Sequence, residues 1–199
     1  MTTIPIVEVT RIRDRIARAH ELAAAQFRDT FVPGETPPTA HLEIFASALL
    51  EYAEGVHLDG RVQYQIDGDL SVPFVVPDEP LFKYFEVDRT PSAIFEYWLV
   101  ISEIIGSASW RMTTVIASSD EYDAALRRTQ SAQIVRALVA SFLPSVELRS
   151  DGTAFLEATV YTRADEERIE RRLLLLDALN EFHYHGRELI AEGRGGVLV

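Results

Sequence analysis

ADEERIERRLLLLDALNEFHYH, residues 164–185, admits two structures, and the choice between them decides the fold. Its composition is strongly helix-forming, and Ile169, Leu173, Leu176 and Leu179 recur at the spacing of one helical stripe. The same residues also divide into an apolar run at 173–176, a polar break at 177–180 and Glu181-Phe182-His183-Tyr184-His185, which suits two strands around a loop. We prefer the helix on composition. It also makes intrahelical pairs of Glu167 with Arg171 and Asp165 with Arg168, each worth roughly a few tenths of a kcal/mol.

The choice governs the sharpest chemical candidate as well. Two imidazoles and a carboxylate form an oxygen/nitrogen ligand set for a divalent metal such as zinc, iron or manganese. On a strand, His183 and His185 share a face and Glu188 approaches from beyond Gly186. On a helix the two rings point about 200° apart and cannot share an ion. His183, His185 and Glu188 are therefore the candidate metal ligands, conditional on the extended reading.

Working outward, Val146–Leu148 and 154–160 read as a hairpin turned by Ser150-Asp151-Gly152. Ser118 and Glu121 have capping-box spacing and open a helix expected to run to about Pro144. Trp110, Met112, Thr114 and Ile116 alternate as a strand. Thr90-Pro91-Ser92 opens a helix over 91–105 that is apolar on nearly every side, which predicts burial or an interface. Phe82–Val87 reads as a strand. Before it, two alternating runs flank Asp67-Gly68-Asp69. A three-residue loop at 67–69 pairs Ile66 with Leu70, Tyr64 with Val72 and Val62 with Phe74, which keeps their apolar side chains on one face. The chain starts with helices over 9–31 and 39–54, the second capped by Thr39 and stopped by Gly55, forming an antiparallel pair. The expectation is a single α+β domain, a mainly antiparallel sheet covered by helices. Residues 1–55 form its helical N-terminal part and 56–199 its α+β core.

Charge sets the bounds on function. Thirty-one carboxylates face nineteen basic side chains, only one of them a lysine (Lys83), for a net charge of −12. That balance argues against nucleic-acid and anionic-membrane partners. With no cysteine, disulfides, thiolate metal sites and cysteine nucleophiles are excluded. The longest apolar stretch, 94–105, is too short to span a bilayer, and the start lacks the basic and apolar regions of a signal peptide. A cytoplasmic protein is expected.

The charge is also unevenly placed. Eight carboxylates lie between 67 and 103, opposed by Lys83 and Arg89, while Arg11, Arg13, Arg15 and Arg18 gather on the first helix. Asp67, Asp69, Asp78, Glu79, Glu86 and Asp88 form the candidate interaction surface, with Trp98 on the apolar helix beside them. Complementary charge permits head-to-tail self-association, and neutralisation within one chain accounts for it equally well. No serine sits in a nucleophile elbow. His57 and Asp59 have the spacing of a base and its orienting group, a pattern more often belonging to a turn. Gly193-Arg194-Gly195-Gly196 lacks the following helix that a phosphate loop needs. The function expected is a non-catalytic acidic interaction or self-assembly protein, with a homo-oligomer or protein partner. The alternatives are a small-ligand or metal-binding domain, or an enzyme, using His183, His185 and Glu188, and an acidic partner that neutralises a basic protein.

Overall fold

The described residues of the 164–185 segment form no helix: 166–176 and 182–185 are strand, joined by a turn at 177–181. A computed structural model of the chain describes residues 1–67, 70–75, 81–106, 112–135, 141–163 and 166–194. Along the chain the elements are β1 (Thr2–Thr3), α1 (Ile6–Thr30), α2 (Ala40–Tyr52), β2 (Val56–Leu58), β3 (Val62–Asp67), β4 (Leu70–Val75), a 3-10 turn (Leu81–Tyr84), β5 (Phe85–Val87), α3 (Pro91–Gly106), β6 (Met112–Ile116), α4 (Ser119–Arg128), β7 (Gln130–Ile134), β8 (Ser145–Leu148), β9 (Ala154–Arg163), β10 (Glu166–Leu176) and β11 (Phe182–Arg194). This is an α+β chain in which a helix pair precedes a large antiparallel sheet. Its contacts divide it into two compact units: Met1–Ile6 with Trp110–Val199, and Val7–Ser109. Residues 56–109 thus group with the N-terminal helices.

In the sheet unit, the described strands follow the order β1-β8-β9-β10-β11-β7, and β6 also pairs with β9. β9 shares one edge between two neighbours, β8 along Ala154–Glu157 and β6 along Thr159–Arg163. β10 is central, laddered to β9 on one side and β11 on the other. This explains why the sequence favours a helix there. Ile169 on one face and Leu174 and Leu176 on the other are all buried, so no period-two pattern survives. The expected pairs Glu167–Arg171 and Asp165–Arg168 do not arise on a helix. Arg171 instead forms an ion pair diagonally with Glu157 on β9, and Asp165 lies outside the described residues.

α4 covers part of one face. Tyr122 and Ala125 pack on Ile116, Tyr161, Ile169, Ile190 and Ala191. Its N-cap is the expected one, with Ser118 Oγ accepting from the Glu121 N–H at 3.2 Å and the Glu121 carboxylate accepting from the Ala117 N–H at 2.7 Å. The helix stops at Arg128 rather than near Pro144. Thr129 turns extended and donates its hydroxyl to the Ala125 carbonyl, and the following residues pair with the β11 edge. The β8–β9 hairpin turns as expected, with Gly152 at φ 85° and Asp151 accepting from Thr153.

In the helical unit, α1 and α2 are antiparallel: the His20 ring lies 4.2 Å from Phe45 and the Phe27 ring 6.0 Å from His41. α3 packs against α2, β2, β4 and β5. Its Ala93, Ile94, Phe95, Tyr97, Trp98, Val100, Ile101 and Ile104 are buried. The β3–β4 register differs by one residue from the expected one, pairing Val62 with Val75, Tyr64 with Pro73 and Ile66 with Ser71. Burial selects it. Val62, Tyr64 and Val75 turn inward together, and the Tyr64 hydroxyl donates to the Ile104 carbonyl at 3.0 Å, while Val72 is left partly exposed on the opposite face. The strand expected at 82–87 is shortened to β5 by the 3-10 turn before it. Thr39 makes no side-chain cap to α2. Gly55 is not a left-handed stop, because α2 ends through the extended Ala53. Gly55 is there for close approach: a Cβ on it would lie 2.4 Å from the Ala93 Cβ.

Candidate functional site

Glu96 stands alone as a carboxylate among the buried residues of α3, with 3% of its surface exposed. A charge so placed must be paired and hydrogen-bonded to be tolerated. It is. Arg15 on α1 donates to Glu96 Oε1 from Nε at 2.9 Å and from Nη2 at 2.6 Å. Glu96 Oε2 accepts the backbone N–H groups of Glu54 at 3.2 Å and Gly55 at 3.1 Å, in the segment leaving α2. Arg15 Nη1 reaches Glu54 at 3.1 Å, and Arg11 pairs with both Glu54 and Glu8. One carboxylate thereby ties together α1, α3 and the segment after α2.

Above this knot lies a cleft of about 300 Å³ within the helical unit, lined by Glu8, Arg15, Glu54, Gly55, Asp88, Thr90, Ser92, Ala93 and Glu96. The Thr90 hydroxyl caps α3 by accepting from the Ala93 N–H at 3.2 Å. Glu8, Glu54 and Asp88 supply the cleft's upper carboxylates, and the Arg15 cation beneath them is already shared between Glu96 and Glu54. The lining therefore favours cations. Its side chains are the hydroxyls of Thr90 and Ser92, the carboxylates and the Arg15 guanidinium.

The expected interaction residues fall in several places. Asp67, Glu86 and Asp88 are exposed, and Asp88 lines the cleft. Asp69, Asp78 and Glu79 lie outside the described residues. Trp98 is buried, its ring 6.0 Å from Phe95. Glu103 pairs with His20 at 3.5 Å. Arg11 and Arg15 are thus neutralised within their own unit, one of the two outcomes their charge allowed. His57 lies on β2 opposite Glu86, and the Asp59 N–H donates to the Tyr84 carbonyl just before β5. Of the glycine-rich tail, Gly193 sits opposite Glu167 in β11 and residues 195–199 lie outside the described residues.

The candidate metal residues are not brought together as a trio. His185 is the extra residue of a β-bulge between Tyr184 and Gly186, and its ring meets Phe155 edge-on at 5.0 Å. Glu188 lies opposite Arg171 and His183 opposite Leu175, which puts them on one face but about 13 Å apart at the strand rise. His183 turns instead toward the β10–β11 turn, where its Nε2 is 2.8 Å from Asp177 Oδ2.

Sequence reading missed Arg15 and Glu96 as partners. Their separation of 81 residues carries no periodic signal, although a lone carboxylate inside an apolar helix was a cue that some cation must meet it. Among the described residues no helix is long and apolar enough to cross a membrane. Comparison of the chain with protein-family models, with curated proteins and with solved structures gave no match.

Proposed function

We propose that this is a non-catalytic interaction protein that takes a basic segment of a protein partner into the cleft between Glu8, Glu54 and Asp88. The observation that carries the reading is the charge balance of that cleft, where Glu8, Glu54, Asp88 and Glu96 outnumber Arg15 and the Arg11 that pairs with Glu8 and Glu54. Its volume is at the lower end for ligand pockets and suits one or two lysine or arginine side chains rather than a folded surface. The exposed Glu86 and Asp67 elsewhere in the same unit add to the acidic field that steers such a partner. Self-assembly through Arg11 and Arg15 is disfavoured, since Glu8, Glu54 and Glu96 already engage them.

The test is fluorescence anisotropy with a labelled Lys/Arg-rich peptide against the full chain at several salt concentrations, alongside light scattering. Binding should weaken as salt rises. The double variant Glu8→Gln/Asp88→Asn should lose roughly tenfold in affinity, chiefly through slower association. A salt-independent affinity, or a double variant that binds as tightly as the parent, overturns the reading. A discrete oligomer that persists in high salt and takes up no peptide supports self-assembly instead.

A further inference from the structure

The structure assigns a second site, in the sheet unit and independent of the cleft: Asp177, Glu181 and His183, at the turn joining β10 to β11, form a binding site for a first-row divalent transition ion such as Zn²⁺. One ligand atom from each of the three residues lies within 4.8 Å of the other two, a grouping that His183, His185 and Glu188 do not achieve. The pair Asp177 Oδ2 and His183 Nε2, 2.8 Å apart, already approaches the spacing of two ligands on one tetrahedral ion, about 3.3 Å for bonds of about 2.0 Å. Glu181 is exposed and needs only a side-chain rotation to close the third position. Its carboxylate and the imidazole are the ordinary mixed oxygen/nitrogen donors of zinc, with water left to complete the shell.

The turn prepares the ligands for this. Asp177 Oδ1 accepts the backbone N–H groups of Leu179 at 2.8 Å and Glu181 at 2.9 Å, which fixes the carboxylate and leaves Oδ2 facing the imidazole. Asn180, at φ 63°, turns the chain back so that Glu181 and His183 come round to the Asp177 side. Held this way, Asp177 gives a single oxygen to the ion, and its backbone partners serve as the outer shell that orients it. Without metal the imidazole N–H and Asp177 hydrogen-bond to each other. Metal takes the Nε2 position of that proton: an imidazolium ring gives a proton up to do so, whereas a neutral ring carries its single proton on Nδ1 instead.

The experiment is titration of the untagged full chain with Zn²⁺ in competition with a chromophoric chelator, and with Co²⁺ followed by its visible ligand-field bands. The expected result is one equivalent bound, with at least tenfold weaker binding in His183→Ala and in Glu181→Gln. Glu181→Gln is the decisive variant, because the Glu181 side chain makes none of the turn's hydrogen bonds given above and its loss leaves the Asp177–His183 contact in place. His185→Ala and Glu188→Gln should bind like the parent. The assignment is overturned if the parent binds no equivalent. It is equally overturned if Glu181→Gln and His183→Ala retain parental affinity, or if His185→Ala or Glu188→Gln abolishes binding.

Discussion

Arg15 and Glu96 are joined by two hydrogen bonds to a single carboxylate oxygen, the other oxygen being held by the main chain after α2. Removing Glu96 leaves the largely buried Arg15 with only the half-exposed Glu54 as a partner, and the Glu54 and Gly55 N–H groups without their acceptor. Glu96→Ala should therefore destabilise the helical unit by about 3 kcal/mol or more in urea denaturation. Replacing both residues by apolar ones of similar size, Arg15→Met with Glu96→Leu, should cost clearly less than the sum of the single changes. Additive single and double changes would show that the two side chains are not energetically coupled.

Gly55 donates its N–H to Glu96 while its Cα approaches α3. Gly55→Ala places a methyl group 2.4 Å from the Ala93 Cβ and 3.1 Å from its Cα, so backbone must move. A loss of about 1–3 kcal/mol is expected, read as a lowered melting temperature. The added Ala93→Gly change removes the nearer atom and should recover part of that loss. Parental stability in Gly55→Ala would mean the approach is not a constraint.

At the β10–β11 turn, the Asp177 hydrogen bond raises the His183 titration above its ordinary value, outweighing the opposing effect of solvent loss, with the charges of Asp177 and Glu181 adding to it. On Asp177, partial burial pushes upward, but the His183 bond and the N–H groups of Glu181 and Leu179 together pull its titration below the usual range. The signs fix the window. The His183 contribution to stability is complete below pH about 6.5 and is lost as pH rises through its raised folded value. The Asp177 contribution is lost as pH falls through its lowered one. NMR titration of the histidine side chains should find His183 raised, and Asp177→Asn should return it toward the ordinary value. An unchanged His183 titration in Asp177→Asn would contradict the pairing.

α4 depends on its cap. Ser118→Ala removes the acceptor for the Glu121 N–H and should cost about 1 kcal/mol of stability in the sheet unit, whereas Ser118→Asp should retain most of it. Equal denaturation midpoints for Ser118→Ala and the parent would show that the first turn is held by other contacts.

The legible parts of this chain were those governed by local chemistry. Ser118, Pro91, Asp151-Gly152 and the stripes of α1 and α2 announce their elements within a few residues. What failed depended on distant surroundings. Leu173–Leu176 has no sequence alternation because β9 and β11 flank it, with Leu174 and Leu176 buried on one face and Leu173 and Leu175 half-buried on the other. The register of β3–β4 follows Val75 and the hydrogen bond from Tyr64 to Ile104, neither visible in the alternation of 62–66 against 70–74. The site residues divide likewise. His183 was singled out by its neighbours in sequence, but its partners are Asp177 and Glu181 across a turn, and a bulge diverts His185 to Phe155. Glu96 entered the sequence reading only as one of the eight carboxylates between 67 and 103, and its partner could come only from the fold.

Thr2 on β1 lies opposite Val146 on β8, whereas β8, β9, β10 and β11 are neighbours in the sheet in the order in which they occur in the chain. The whole of Val7–Ser109 intervenes between β1 and the rest of its unit. During synthesis the first strand therefore emerges long before the edge it pairs with exists. The helical unit can close first, since all of its chain has emerged by then. The four-strand meander then forms from short-range turns, and β1 docks last as a latch on a finished edge. Delaying or slowing the C-terminal half of translation should leave an intermediate in which only the Val7–Ser109 unit resists proteolysis.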